Sequence, residues 1–165
     1  MRKWLLCLVF VMLLSGCGAK QTFETVDDEL LQPVMAEVGT VELSLPPEAS
    51  AQTMLAEKED KLYFCDGYTL AVQIMDCGDL NRTCRELCGY DVQMLNIVET
   101  AAQGQRRYDW VWTTVSEEGD CVGRAAVIDD GSYHYCVSLQ TQAQLAGEME
   151  EAWGGILRSF GVSQY

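Results

Sequence analysis

Four glycine turns punctuate this chain: Asp66-Gly67, Gln103-Gly104, Glu118-Gly119 and Asp130-Gly131. Most of the segments between them alternate apolar with polar residues. A two-residue period buries every second side chain of a strand, and a tight hairpin turn asks for the positive φ that glycine adopts freely. A chain that repeats this arrangement is constrained to fold as a meander of antiparallel hairpins.

The segments can be placed in order. Val41, Leu43 and Leu45 alternate with Glu42 and Ser44 before Pro46-Pro47 stops the strand. Residues 48–61 carry no clear period and are expected to be loop. Residues 62–65 and 68–75 form a hairpin about Asp66-Gly67, with Tyr68, Leu70, Val72 and Ile74 on one face. Asp79 is the expected N-cap of a helix that runs to Cys88 and stops at Gly89. Further strands are expected over 94–100, 107–115, 122–128 and 133–139. Tyr108, Trp110 and Trp112 share one face of the second of these. Residues 143–160 close the chain as a helix, with Leu145, Met149, Trp153, Ile156 and Leu157 at helical spacing and Gly154-Gly155 weakening it.

Strands in sequence followed by a covering helix predict an α+β fold. It is a two-layer sandwich in which an antiparallel sheet is packed on one face by the C-terminal helix. The aromatic strand, the Asp130-Gly131 hairpin before Tyr133-His134-Tyr135, and the ending Trp153 with Ile156-Leu157-Arg158-Ser159-Phe160 resemble the PsbP-like fold. The resemblance covers roughly residues 40–162. It implies a last helix lying across the sheet and ending in a Ser-Phe that packs beneath it. It implies no chemistry, because fold alone fixes no function.

The N-terminus sets location. Arg2 and Lys3 precede an apolar run from Trp4 to Leu14, and Ser15-Gly16 lead into Cys17. The run is too short to span a bilayer stably. Leu14-Ser15-Gly16-Cys17 resembles the lipobox of bacterial lipoproteins. The resemblance implies cleavage between Gly16 and Cys17 and acylation of Cys17, giving a membrane anchor on the extracytoplasmic side. The expected organisation is a signal peptide over 1–16, a lipidated N-terminus and acidic tether over 17–39, and one α+β domain over 40–165. Asp27-Asp28-Glu29 lies within the tether.

Loss of Arg2 and Lys3 leaves nine basic against 25 acidic residues, a net charge of −16 with His134 neutral. Such an excess argues against nucleic acid and anionic lipid as partners, since both are held by Lys/Arg clusters. Asp76, Asp79, Asn81 and Glu86 lack the spacing of an EF-hand loop.

Once Cys7 leaves with the signal and Cys17 carries lipid, Cys65, Cys77, Cys84, Cys88, Cys121 and Cys136 remain. An oxidising exterior favours pairing. Cys65 and Cys77 lie at opposite ends of one strand, roughly 26 Å apart, beyond disulfide reach. A two-residue Asp130-Gly131 loop would set Cys136 opposite Ala125, leaving Cys121 about 13 Å away. The favoured bridge is Cys77 with Cys84 or Cys88. A soft metal on Cys77, Cys84 and Cys88 would lack the fourth ligand of a structural zinc site.

No catalytic residue, cofactor site or metal site is assigned. His134 beside Asp129-Asp130, with Ser132 or Ser138 as nucleophile, lacks the nucleophile turn of a serine hydrolase. The expected role is a non-catalytic, lipid-anchored binding or assembly module for an envelope protein, peptide or glycan. A lipoprotein that binds a small ligand or metal is the second reading, and a hydrolase using His134 is the third.

Overall fold

The computed structural model describes residues 37–52, 60–76, 78–102, 104–116 and 119–163. The expected signal peptide, Cys17, most of the tether and Cys77 fall outside the described residues. Among the described residues, nine strands and two α-helices follow in order. The strands are β1 (Thr40–Glu42), β2 (Ser50–Gln52), β3 (Lys61–Cys65), β4 (Tyr68–Asp76), β5 (Val98–Ala102), β6 (Gln105–Ser116), β7 (Gly119–Asp129), β8 (Tyr133–Gln142) and β9 (Gly161–Ser163). Helix α1 (Leu80–Cys88) sits between β4 and β5, and α2 (Ala146–Ser159) between β8 and β9.

Seven strands form one sheet in the order β2-β3-β4-β8-β7-β6-β5. Every neighbouring pair is antiparallel. The sheet is two meanders, β2 to β4 and β5 to β8, joined along β4 and β8. The Asp66-Gly67 hairpin is as expected: Cys65 pairs with Tyr68, and Gly67 has φ 80°. β1 and β9 make a separate two-stranded ribbon.

Alternation along the central strands divides the core in two. On one face Tyr68, Leu70 and Val72 of β4 meet Tyr135, Val137 and Leu139 of β8, beneath Trp153, Ile156, Leu157 and Phe160. This is the expected packing of the C-terminal helix on the sheet. Leu70, Val137 and Leu139 are wholly buried, each stabilising the fold by roughly 1.5–3 kcal/mol. The terminal Ser-Phe packs as the resemblance implies. Phe160 is buried, and Ser159 Oγ donates to Ile156 O (2.7 Å) while accepting from Ser44 N (2.9 Å).

The opposite face carries the second cluster. Tyr108, Trp110 and Trp112 pack with Ala125, Val127, Cys136 and Cys84. The aromatic strand is core, but its cover is α1 together with Tyr90, Val92, Leu95 and Ile97, not residues 143–160. The parity of β6 decides this, because its even-numbered residues face the side that α1 occupies. α1 begins where expected: Asp79 accepts from Asn81 N at 2.9 Å, and Gly89 ends the helix at φ 79°.

Three local readings are corrected. The segment expected as a strand from residue 94 is a 3-10 turn over Val92–Met94, and pairing starts only at Val98. Asn81 Oδ1 accepts from Val92 N (2.8 Å), and Leu95 and Ile97 are drawn into the aromatic cluster. Residues 50–52 are a strand paired with β3 rather than loop. The β7–β8 connection has four residues between the Asp129–His134 pair, not two, so Cys136 faces Val127 instead of Ala125. Asp130 Oδ1 accepts from Ser132 N and Tyr133 N, both at 2.8 Å, and that hydrogen bonding stabilises the wider loop.

Candidate functional site

A groove of 630 Å³ runs beside α2, over strands β6 and β7. Its strand side carries Arg107 of β6 and Arg124 of β7. Its helix side carries Gly147, Glu148, Gly154 and Arg158. Arg107 is fixed in place: Nε and Nη2 reach the Asp109 carboxylate at 2.8 and 2.9 Å, and Nη2 donates to Leu157 O at 2.9 Å. Its guanidinium also stands 5.7 Å from the centre of the Phe160 ring, a cation–π contact. Gly154 leaves room on the helix surface that the Arg158 guanidinium uses; an added Cβ would stand 3.0 Å from Nη1. The glycine read from sequence as a weakness in the helix is therefore part of the wall of a groove.

The arginines divide sharply. Arg82 pairs with Glu86, Arg85 with Asp91, Arg106 with Asp129 and Arg107 with Asp109. Among the described residues, Arg124 and Arg158 are the arginines without an ion pair, and both line the groove. Sequence inspection missed them. The available signal was Arg124 itself, a cation inside the apolar run of β7.

His134 lies on the other face of the sheet. It is 2% exposed, and its Nδ1 is 2.7 Å from Oγ1 of Thr83, itself 3% exposed. Nε2 points toward the buried Asp129 carboxylate at 3.9 Å, and Asp129 Oδ2 pairs with Arg106 at 2.7 Å. Burial pushes the His134 pKa below its ordinary 6.5; Asp129 and Asp130 oppose that shift, and Arg106 adds to it. A neutral ring with Nε2–H toward Asp129 and Nδ1 accepting from Thr83 satisfies the three groups. Ser138 is four residues along the same strand, roughly 13 Å away, and Ser132 belongs to the exposed β7–β8 turn. The arrangement holds α1 to the sheet and presents no open path to an external substrate.

The cysteines are scattered by the fold. Cys84 and Cys136 are wholly buried in the aromatic cluster, Cys88 is half-buried and donates to Cys84 O, and Cys65 borders the other core. Cys84 and Cys88 carry free thiols, and Cys77, their expected partner, lies outside the described residues. Burial pushes the Cys84 thiol up to about 12 and raises that of Cys136 further. Among the described residues no group of three His, Cys, Asp or Glu side chains is arranged to hold a metal, and no helix is long and apolar enough to cross a membrane.

No family model and no curated protein matches the chain. Solved structures do. Cyanobacterial PsbP (CyanoP) from Synechocystis sp. PCC 6803 superposes with a TM-score of 0.56 at 12% identity, covering 74% of this chain and 86% of that one. LpqN, involved in cell envelope biogenesis of Mycobacterium tuberculosis, gives 0.52 at 8% identity, over 76% and 84%. The Ran-binding protein Mog1p of Saccharomyces cerevisiae gives 0.48 at 15%, over 74% and 89%. At such identities the likeness concerns the fold alone: an antiparallel meander packed by a C-terminal helix, similar to the PsbP-like fold.

Proposed function

We propose that the chain is a lipid-anchored, extracytoplasmic protein whose α+β domain works as a non-catalytic binding or assembly module at the cell envelope. One observation carries the reading: Leu14-Ser15-Gly16-Cys17 stands directly after a basic start and a short apolar run. Cys17 Sγ is the atom of attachment, and Gly16 the residue before the cut. Two acyl chains hold a protein to a bilayer stably, where one does not.

The rest of the molecule agrees with that role. His134 and Thr83 are sealed, while the groove beside α2 is open and carries charged groups suited to holding a partner. LpqN, which shares the fold, is described as acting in cell envelope biogenesis, and the same setting suits an anchored domain of this kind.

The test is expression of the full chain in a bacterial host with an alkyne-tagged fatty acid. The wild type should take up label, run at the processed size and fractionate with membranes. Cys17→Ser should remain unlabelled and either stay unprocessed or lose the membrane. A Cys17→Ser protein that is still labelled and cut would sink the anchor reading.

A further inference from the structure

We propose that the groove between α2 and strands β6–β7 docks an extended peptide segment of a partner protein, one that carries a single carboxylate flanked by apolar side chains. The proposal rests on the binding-module reading above and names its surface and its partner chemistry.

Charge comes first. The chain has a net charge of −14, and four of its described arginines are matched by acidic partners. Arg124 and Arg158 are not, and the fold brings them to one groove from β7 and from the end of α2. Arginine offers a planar fork that matches a carboxylate geometrically, and two forks facing one cleft define a place for one. Arg107 contributes little attraction of its own, since Asp109 already occupies its fork.

The acidic wall narrows the choice. Glu148, Glu150 and Glu151 line the same groove. A polyanion such as nucleic acid or an anionic polymer would lay repeated charge against them and be repelled. A lone carboxylate seated on the arginines avoids that repulsion. The same glutamates suit the amide-rich backbone of a peptide or a basic residue further along it.

The apolar part lies alongside. Val111 pairs directly across from Arg124, and so shares its face of the sheet. Val111 is 56% exposed, Val115 83% and Val98 61%. Exposed Val111, across from Arg124, sets apolar surface beside the charged cleft. Pairing with β5 ends at the Val98–Asp109 step, and beyond it the Tyr90 hydroxyl donates to Thr113 O at 2.7 Å, so the segment lies over the face of the sheet and not along the β6 edge. A short extended segment lying over this face turns every second side chain toward it, the carboxylate to the arginines and an apolar side chain two residues away to Val111.

The experiment uses the full chain in detergent micelles and two fluorescent, capped pentapeptides, Val-Leu-Asp-Leu-Val and Val-Leu-Asn-Leu-Val, read by anisotropy. The aspartate peptide should bind, and the asparagine peptide should bind roughly tenfold more weakly. The double variant Arg124→Gln/Arg158→Gln should reduce the aspartate peptide to the asparagine level with an unchanged melting curve. Val111→Ser should weaken both peptides alike. Absence of binding by the wild type, equal binding of the two peptides, or binding indifferent to the double variant would each overturn the proposal. Failure here leaves the anchor reading intact if fatty-acid labelling still depends on Cys17, so the two are separable.

Discussion

The Trp112 indole fills the space where residue 123 would otherwise carry a side chain. A Cβ at Gly123, directly across the β6–β7 ladder, would clash with Cζ2, Cε2 and Cη2 of the indole. Trp112 is buried in the cluster beneath α1 and cannot swing aside without unpacking it. Gly123→Ala is therefore expected to destabilise the domain by about 1–3 kcal/mol, the range for overpacking a tight core. Urea denaturation followed by tryptophan fluorescence would measure it. A midpoint within error of the wild type would contradict the packing described for this pair.

Tyr135 joins β1 to the sheet through one hydroxyl. That oxygen accepts from Gly39 N at 2.8 Å and donates to Asp130 Oδ2 at 3.0 Å. Tyr135→Phe keeps the ring and removes both bonds, leaving the buried Gly39 N–H without its acceptor. The expected loss is about 1–3 kcal/mol. Amide exchange at Gly39 should accelerate ahead of exchange in β8, because the backbone pairing of β8 with β4 and β7 is left in place.

His134 should make stability fall on mild acidification. Its pKa is lower folded than unfolded because burial disfavours the imidazolium. The unfolded chain thus binds a proton that the native ring resists. This contribution is fully present above the ordinary value of 6.5 and is lost as pH falls from there toward the folded value. Denaturation midpoints at descending pH would show the slope, and His134→Gln should flatten the part that begins near 6.5. An identical pH profile in the variant would remove His134 as its source.

Cys84 and Cys136 should resist alkylation in the native protein. Both are wholly buried, and burial holds Cys84 at about 12 and Cys136 higher, so almost no thiolate is present at neutral pH. Brief iodoacetamide treatment followed by peptide mapping should mark these two only after denaturation. Native labelling of either as fast as in the unfolded chain would mean that the aromatic cluster opens readily.

Much of the fold was legible in the residues. Strict alternation in β4 and β6, the glycine at each turn, and the Asp79 and Gly89 caps are local signals, because strand parity and helix ends depend on nearby backbone chemistry. The spacing of Trp153, Ile156 and Leu157 likewise marked the helix face that meets the sheet. Part of what failed was local structure set by distant partners. Residues 94–97 carry strand-like composition, yet Asn81 holds Val92 just before them, and Leu95 and Ile97 pack into the aromatic cluster. The Asp130 loop is longer than its Asp-Gly suggested because a carboxylate on the loop itself bonds two following amides.

By itself, the sequence determined the antiparallel meander, the closing helix and the expectation of an anchor at Cys17, because periodicity, turn chemistry and a tripartite signal are written in adjacent residues. Only the tertiary structure decided which helix covers Trp110 and Trp112, that His134 closes on Thr83, and that Arg124 and Arg158 share one groove. Cys84 and Trp110 are 26 positions apart, Arg124 and Arg158 34, and Thr83 and His134 51, with whole strands between them. Burial and charge pairing at that separation depend on how the sheet is ordered, which local pattern does not encode.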